Sequence, residues 1–598
     1  METSEPLRDP EPSSWVHRQR GPLLFGLAAA AILVRLAFVL QMANGPGFHQ
    51  HRWSESDMAF FQSWARIIVE GDRLTDRALH PYHPWHERVA QRYFRSHPGE
   101  RERWNAEAGD PGSAGRVLWN HWYGGKRFHQ EPLYPYVIAV LEVLPGTAFG
   151  WTMGLQVLAG LVICLLIHRV TERLFGEPAA VVAAGLSVLC GPLIFYELQL
   201  LRATLLVLLG VLSVWLTLRA LDRNRWQHWA LLGGTCGVAI LLKSTLALYA
   251  LGLLAGLFVL HRRNPQRLLA SAGPLLAGLL ICLSPAIVRN LNVGVSPFGL
   301  TSVGTIGLIF ANADGASASG YSFLIEHGAE IMGRSDGRLL PAALASLSTH
   351  DGPWSYLGLM AERLGRIAQG YEVPNNTNFY FCRLHAPVLH WLPVGFGFLS
   401  PLALAGGLLA ARRFRHAWPL YLLGTASMVP LMAYGNLSRY RLLLLASAIP
   451  LAALGLTTLV RAVAARKIRF AVTLGAVLLL AGAWTTGEPP RPRLRAIDFV
   501  VADQVYYRPL REEAARRGDG AGVLRVFRRL LALEPAENRE IGTRQPPRTR
   551  FASRLAGFYG EVYRDYGYAL SRNGRPDEAR VAQRRAGELL RAAALPVR

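Results

Sequence analysis

Cysteine and charge are both scarce in this chain. Of five cysteines among 598 residues, Cys164, Cys190, Cys236 and Cys282 fall in apolar stretches and only Cys382 lies in a polar one. No disulfide framework or thiolate metal site is consistent with that distribution. Charged residues make up 18% of the chain against 51% hydrophobic, a balance too apolar for an ordinary soluble protein. Acids are the scarcer sign, 41 against 64 basic residues, for a formal net charge of +23. Nucleic acid is still excluded as a partner. The basic residues sit in short connectors between apolar runs, where membrane topology accounts for them.

Those apolar runs are the dominant feature. Stretches of about 17 to 24 residues, long enough to cross hydrocarbon, stand near 21–43, 151–168, 179–196, 203–221, 228–243, 246–261, 268–288, 391–410, 418–434, 441–460 and 470–486. The expected fold is therefore an all-α polytopic membrane protein with about 11 transmembrane helices and two large outer loops containing interfacial helices, the stretch from Pro353 to Gln369 in the second loop reading as helical. Arg18, Arg20, Arg169, Arg173, Arg223, Arg262, Arg412 and Arg466 all fall in alternate connectors, the positive-inside pattern. It puts the amino terminus in the cytoplasm of a cell (inner) membrane, with loops 44–150 and 289–390 outside. A cleaved signal peptide fits poorly, since the first run is long and contains Arg35.

Three segments follow. Residues 1–20, rich in Pro, Ser and charge, read as a disordered cytoplasmic leader. Residues 21–486 form the transmembrane domain with its two outer loops, and residues 487–598 an extracytoplasmic helical tail. In the tail, Gly567, Leu570, Gly574, Ala579 and Ala586 stand at the spacing of a tetratricopeptide-like helical pair. Such a tail is expected to offer a surface to a protein partner, or simply to cap the outer domain.

The first outer loop carries the richest chemistry. From Asp57 to Glu70, Met58, Phe60, Phe61, Trp64, Ile67 and Ile68 recur at helical spacing, which predicts an amphipathic helix lying on the membrane surface. Residues 73–128, dense in His, Trp, Tyr, Arg and Pro, read as a less regular headgroup-level segment. Asp57 opens the helix, where the positive helix end favours the ionised carboxylate that a general base requires. The plainer alternative is that Asp57 only caps the helix. Glu55 is a second acid, a metal ligand or a solvated charge.

Arg202, Lys243, Arg289, Arg439 and Arg441 fall at the expected outer ends of spans, against the inside bias of the other cations. Cations there would stabilise a leaving phosphate, or else snorkel to headgroups. Arg35, deeper in its span, is a functional candidate or the partner of an acid in the bundle. The run His80-Pro81-Tyr82-His83-Pro84-Trp85-His86 has three histidines that could ligate zinc, but its prolines suit an extended loop. No metal site is assigned.

Ser56-Asp57-Met58-Ala59-Phe60-Phe61, Trp64-Ala65 and Gly71-Asp72, followed by His129-Gln130-Glu131-Pro132-Leu133-Tyr134-Pro135 and a span through Phe149-Gly150, resemble the membrane glycosyltransferases of the GT-C class. The nearest families in pattern are the dolichyl-phosphate-mannose protein mannosyltransferase-like and aminoarabinose lipid A transferase-like enzymes. The resemblance extends over roughly residues 25 to 460, strongest in the first third. Gly191 to Glu197 with Arg202, Arg289-Asn290 through Asn312, and Ser438-Arg439-Tyr440-Arg441 are similar to later family segments. Two positions depart from it. Ala311 stands where glycine is expected, and Glu131 stands where a small residue or proline is usual, which leaves the role of Glu131 open.

The resemblance implies that Asp57 is the catalytic acid of the first outer loop. It places His129, Gln130 and Glu197 with the substrate beside the five cations. The implied activity is inverting transfer of a sugar from a polyprenyl-phosphate donor to a protein, lipid or glycan acceptor. No cofactor is required, and a divalent metal has no support in the sequence. The rival readings are a transporter or flippase for a lipid-linked glycan, which would show broken, repeated spans, and a catalytically inactive assembly subunit.

Overall fold

The structure, a computed structural model, describes residues 14–109, 113–320, 322–412, 414–487, 493–541, 547 and 549–595. Among the described residues it is helical throughout, apart from one isolated bridge between Cys190 and Val394. Each expected span falls on a helix. Six are long and apolar enough to cross a membrane: Gly21–Ala43, Ala148–Phe175, Ala203–Arg223, Ser244–His261, Pro265–Asn292 and Ser438–Ala464. Trp226–Leu242, Phe396–Ala411, Phe414–Tyr434 and Ile468–Thr485 occupy four of the remaining expected positions.

The stretch expected to be one span at 179–196 is two helices, Glu177–Val188 and Gly191–Glu197. Pro192, in the first turn of the second helix, has no N–H to continue the first. The freed backbone is satisfied elsewhere: Gly191 N–H donates to Val394 O at 3.1 Å, and Val394 N–H to Leu189 O at 3.3 Å. The first helix begins at Ser14, so residues 14–20 of the expected leader are its opening turns. Residues 1–13 lie outside the described residues.

The chain divides into two compact units, the first made of residues 1–36, 60–375 and 391–488, the second of 37–59, 376–390 and 489–598. In the first unit, Trp226–Leu242 and Pro265–Asn292 pack backbone to backbone. A Cβ on Gly233 would collide with the Leu275 carbonyl, and one on Gly278 with that of Ala230. Small residues at such crossings let membrane helices approach closely.

Two expectations for the outer loops are corrected here. The less regular 73–128 segment contains three helices, Pro84–Ser96, Pro98–Ala108 and Ala114–Trp122. Pro84 and Pro98 sit in first turns, where proline starts a helix rather than breaking one. These helices share a core with Gly304–Asn312, Ile325–Ser335 and Leu339–Leu347, built on Phe94, Trp119, Trp122, Ile309, Phe310 and Met332. The helix Asp57–Val69 does not lay its apolar face on a membrane. Phe61, Trp64 and Ala65 are buried in protein; Phe61 meets the Tyr134 ring at 5.1 Å, and Trp64 Nε1 donates to Thr75 Oγ1 at 2.9 Å.

The second unit joins the tail to Ala37–Ala59 and Asn376–His390 around Phe381, Phe499, Phe527, Leu530 and Tyr559. Phe381 stacks edge-on against Phe499 at 5.2 Å, so Asn376–His390 shares a core with the tail, while Leu524, Leu570, Ala579 and Ala582 form a second cluster within the tail. Its last helices, Arg550–Arg572 and Pro576–Ala594, form a hairpin that turns at Gly574, whose φ of +68° suits glycine. Leu570, Ala579 and Ala586 are buried in it.

Candidate functional site

Within the first unit the polar centre is Glu131, in the turn just before the helix Leu133–Glu142. Its side chain is fully buried, with Arg202 at 2.6 Å and Lys243 Nζ at 3.6 Å. Ser244 donates to the same carboxylate twice, from its N–H at 2.9 Å and its hydroxyl at 2.6 Å. Burial alone would push the Glu131 carboxyl up. Arg202, Lys243 and the two Ser244 hydrogen bonds outweigh burial and hold it down at about 2. Glu131 is thus a fixed anion between two span-end cations.

The cations outnumber it. Arg202 also donates to Leu242 O at 3.1 Å and to Gln130 Oε1 at 2.9 Å, and its guanidinium lies 5.5 Å from the Phe61 ring centre. Lys243 Nζ stands 5.7 Å from the centre of the Tyr440 ring, over which Arg439 lies at 4.9 Å. Arg202, Lys243 and Arg439 therefore gather around one carboxylate and one phenol ring. Arg202 and Lys243 together outweigh the single charge of Glu131, and such an array suits a phosphate.

The other two expected cations are committed elsewhere. Arg289 donates to the carbonyls of Leu74, at 2.9 Å, and Thr75, and lies 4.0 Å over Phe128. Arg441, fully buried, binds Ile367 O at 3.1 Å, Tyr371 O at 2.9 Å and Glu372 Oε1 at 3.0 Å. Both tie loop backbone to span ends. Glu197 is also apart from the Glu131 cluster. It pairs with Arg35 at 2.7 Å, both nearly inaccessible, with its carboxylate packed where Gly160 has no side chain. Arg35 thus has its acid in the bundle. His129 is buried against Phe60, His80 and Tyr123, and its carbonyl accepts from Thr301 Oγ1 at 3.0 Å.

Two of the three histidines of the His80 run have a ring nitrogen engaged with the Ala114–Trp122 end of the loop. His80 Nε2 meets Gly125 O at 2.7 Å, and His86 Nε2 meets Tyr123 Oη at 3.0 Å. Burial, reinforced by the nearby rings of His83 and His129, pushes His86 down to about 2. Among the described residues no group of three His, Cys, Asp or Glu is placed to hold a metal ion.

In the second unit, Asp57 is the first residue of the helix Asp57–Val69, but the cap is Ser56. Ser56 Oγ accepts from Ala59 N–H at 3.1 Å and donates to Trp53 O at 2.6 Å. Asp57 meets Asn376, whose amide donates to Asp57 Oδ2 at 2.6 Å while its Oδ1 accepts from Asp57 N–H at 3.4 Å. Glu55 is exposed and has no ion pair among the described residues. Sequence reasoning missed Asn376 and Ser244, and placed Tyr440 only within the Ser438–Arg441 family segment. Asn376 stands in the run Asn375-Asn376-Thr377-Asn378, where nothing marks it as a partner of Asp57, and Ser244 is only the neighbour of Lys243.

Residues 129–289 match the model of one protein family. It is the dolichyl-phosphate-mannose-protein mannosyltransferase family. The match bears out the resemblance over that stretch, which holds Glu131, Glu197, Arg202, Lys243 and Arg289. Asp57, Arg439 and Arg441 lie outside the mannosyltransferase-family segment. No curated protein matches the chain. Solved structures of the Archaeoglobus fulgidus oligosaccharyltransferase do match. The apo form is 15% identical with a TM-score of 0.33, covering 79% of this chain and 60% of that one. A form tethered with an acceptor peptide containing the NVT sequon is 17% identical, TM-score 0.32, covering 73% and 57%. A complex with an inhibitory peptide and a dolichol-phosphate is 15% identical, TM-score 0.31, covering 79% and 60%. The chain thus spans about 60% of the length of these proteins.

Proposed function

We propose that this chain is a multi-pass membrane glycosyltransferase of the GT-C class that moves a sugar from a polyprenyl-phosphate carrier to a hydroxyl of a protein, lipid or glycan acceptor. The observation that carries this reading is the excess of cation around Glu131, at span ends in and beside the family-matched segment. A lipid phosphate presents its charge at that level of the bilayer. Arg202, Lys243 and Arg439 would receive it, and the negative charge growing on the phosphate as the glycosidic bond breaks would be stabilised there.

Asp57 is assigned the proton. The acceptor oxygen bonds to the anomeric carbon, its proton passes to the Asp57 carboxylate, and the electrons of the broken glycosidic bond leave with the phosphate. Attack opposite the leaving group inverts the anomeric centre. Support comes from the Ser56 cap, which relieves Asp57 of that duty, and from Asn376, which donates to one carboxylate oxygen and fixes its direction. Each role rests on the geometry of its own unit. Glu131 is assigned the positioning of Arg202 and Lys243, not contact with substrate.

The test is binding of a polyprenyl phosphate to the purified protein in lipid nanodiscs, with the matching polyprenol as control. Wild type should prefer the phosphate, and Arg202→Met and Lys243→Met should each weaken it by tenfold or more, one charge-assisted contact being worth about 1.5–3 kcal/mol. Equal binding of phosphate and alcohol would overturn the reading.

A further inference from the structure

In the second outer loop, two helices turn rows of large apolar side chains away from the protein. Along Leu339–Leu347 the row is Leu340, Leu344 and Leu347, while Ala342 and Ser346 on the other side are buried. Along Pro353–Ala368 it is Trp354, Leu357, Ala361 and Leu364, while Arg363 and Ile367 are buried. Trp354 is 82% exposed and Leu340 70%. Spacings of three and four residues keep each row on one helix face. No charged residue interrupts either row. A water-facing pair of helices would have charges there.

What lies against the buried side shows the level at which the rows sit. Gly365 packs on Trp484, and Gly370 N–H donates to Thr485 O at 2.7 Å. Both contacts are at the end of Ile468–Thr485, an apolar helix that exposes Val477, Leu479 and Leu480. The C-terminal end of the Pro353–Ala368 helix thus meets the end of an apolar helix with outward-facing leucines. Two buried arginines hold it there. Arg363 donates to the carbonyls of Ala311 and Met432, and Arg441 to those of Ile367 and Tyr371. Between the helices, His350 Nε2 meets Asn312 O at 2.8 Å and Thr349 Oγ1 accepts from Asp314 N–H at 2.8 Å, pinning the turn.

We propose that the Leu340–Leu344–Leu347 and Trp354–Leu357–Leu364 faces are a membrane-contact surface, seated in the boundary between headgroups and acyl chains of a lipid leaflet. Helices of this kind lie in the interface plane with the apolar face sunk into lipid, a level at which tryptophan is enriched. This role falls on two named faces of the second outer loop and not on the helix at Asp57, whose Phe61, Trp64 and Ala65 are buried in protein.

The experiment places single spin-labelled cysteines in the full-length protein in lipid nanodiscs: Leu340→Cys, Trp354→Cys and Leu357→Cys, with Glu330→Cys, exposed on Ile325–Ser335, as the water-facing control. Signal from the native cysteines is subtracted using the unsubstituted protein labelled in parallel. Collision with oxygen should exceed collision with a water-soluble nickel chelate at the three apolar sites, by fivefold or more relative to the control. Nickel accessibility equal to that of Glu330→Cys would mean water covers the face and overturn the proposal. Low collision with both reagents would mean protein covers it, a second copy included, and would overturn it equally. Leu344→Cys and Leu364→Cys supply the same reading if one variant fails to fold.

Discussion

The Glu131 carboxylate meets the Arg202 guanidinium at 2.6 Å with none of the glutamate side chain exposed. A buried pair of this kind is costly to break by removing one partner, because the other charge is left without compensation in a desolvated site.

Glu131→Gln should therefore lower stability in detergent by about 3 kcal/mol, read as a drop in the thermal midpoint at neutral pH. The effect has a sign in pH. The folded carboxyl is held at about 2, below its ordinary value of 4.5. Its stabilisation is complete above the ordinary value and is lost as pH falls towards 2. The difference between wild type and Glu131→Gln should shrink over that window. An equal difference at pH 7 and pH 3 would contradict it.

The spans were legible because long apolar runs leave little choice in lipid, where backbone polar groups must be satisfied within a helix. The helix at Asp57 was legible as a helix but not in its environment. An apolar stripe reads the same whether lipid or Trp64's protein neighbours cover it. The partners of Asp57 and Glu131 were out of reach, since Asn376 lies 319 residues from Asp57 and Ser244 lies 113 from Glu131. Arg439 and Arg441 looked alike in sequence, yet two residues along a helix turn a side chain by about 200°. One consequently faces Tyr440 and Lys243 and the other is spent on backbone carbonyls.

Arg35 and Glu197 should behave as a coupled structural pair. Arg35→Met and Glu197→Gln are each expected to cost about 3 kcal/mol, since each strands a buried partner. The double variant should cost less than their sum by at least 1 kcal/mol, the mark of a direct interaction in a double-mutant cycle. Strict additivity in thermal midpoints would show that the 2.7 Å contact carries no coupling.

His86 makes the helical segment at 73–128 sensitive to acid. Held at about 2 when folded, its ring binds no proton in a range where the unfolded chain takes one up below about 6.5. Stability is full above that ordinary value and falls with pH beneath it, by up to about 1.4 kcal/mol per pH unit for one proton. His86→Gln should flatten the decline of the thermal midpoint between pH 6.5 and 5. An unchanged slope would remove His86 as its cause.

The proposed catalytic role of Asp57 is tested most directly by sugar transfer from a polyprenyl-phosphate donor in reconstituted vesicles, comparing wild type, Asp57→Asn and Glu55→Gln. Folding is checked by thermal midpoint, and donor binding is measured on the same preparations. Asp57→Asn should lose transfer by about a thousandfold, within the range of a positioned general base, with donor binding retained and Glu55→Gln close to wild type. Transfer by a folded Asp57→Asn protein at near-wild-type rate would contradict the account.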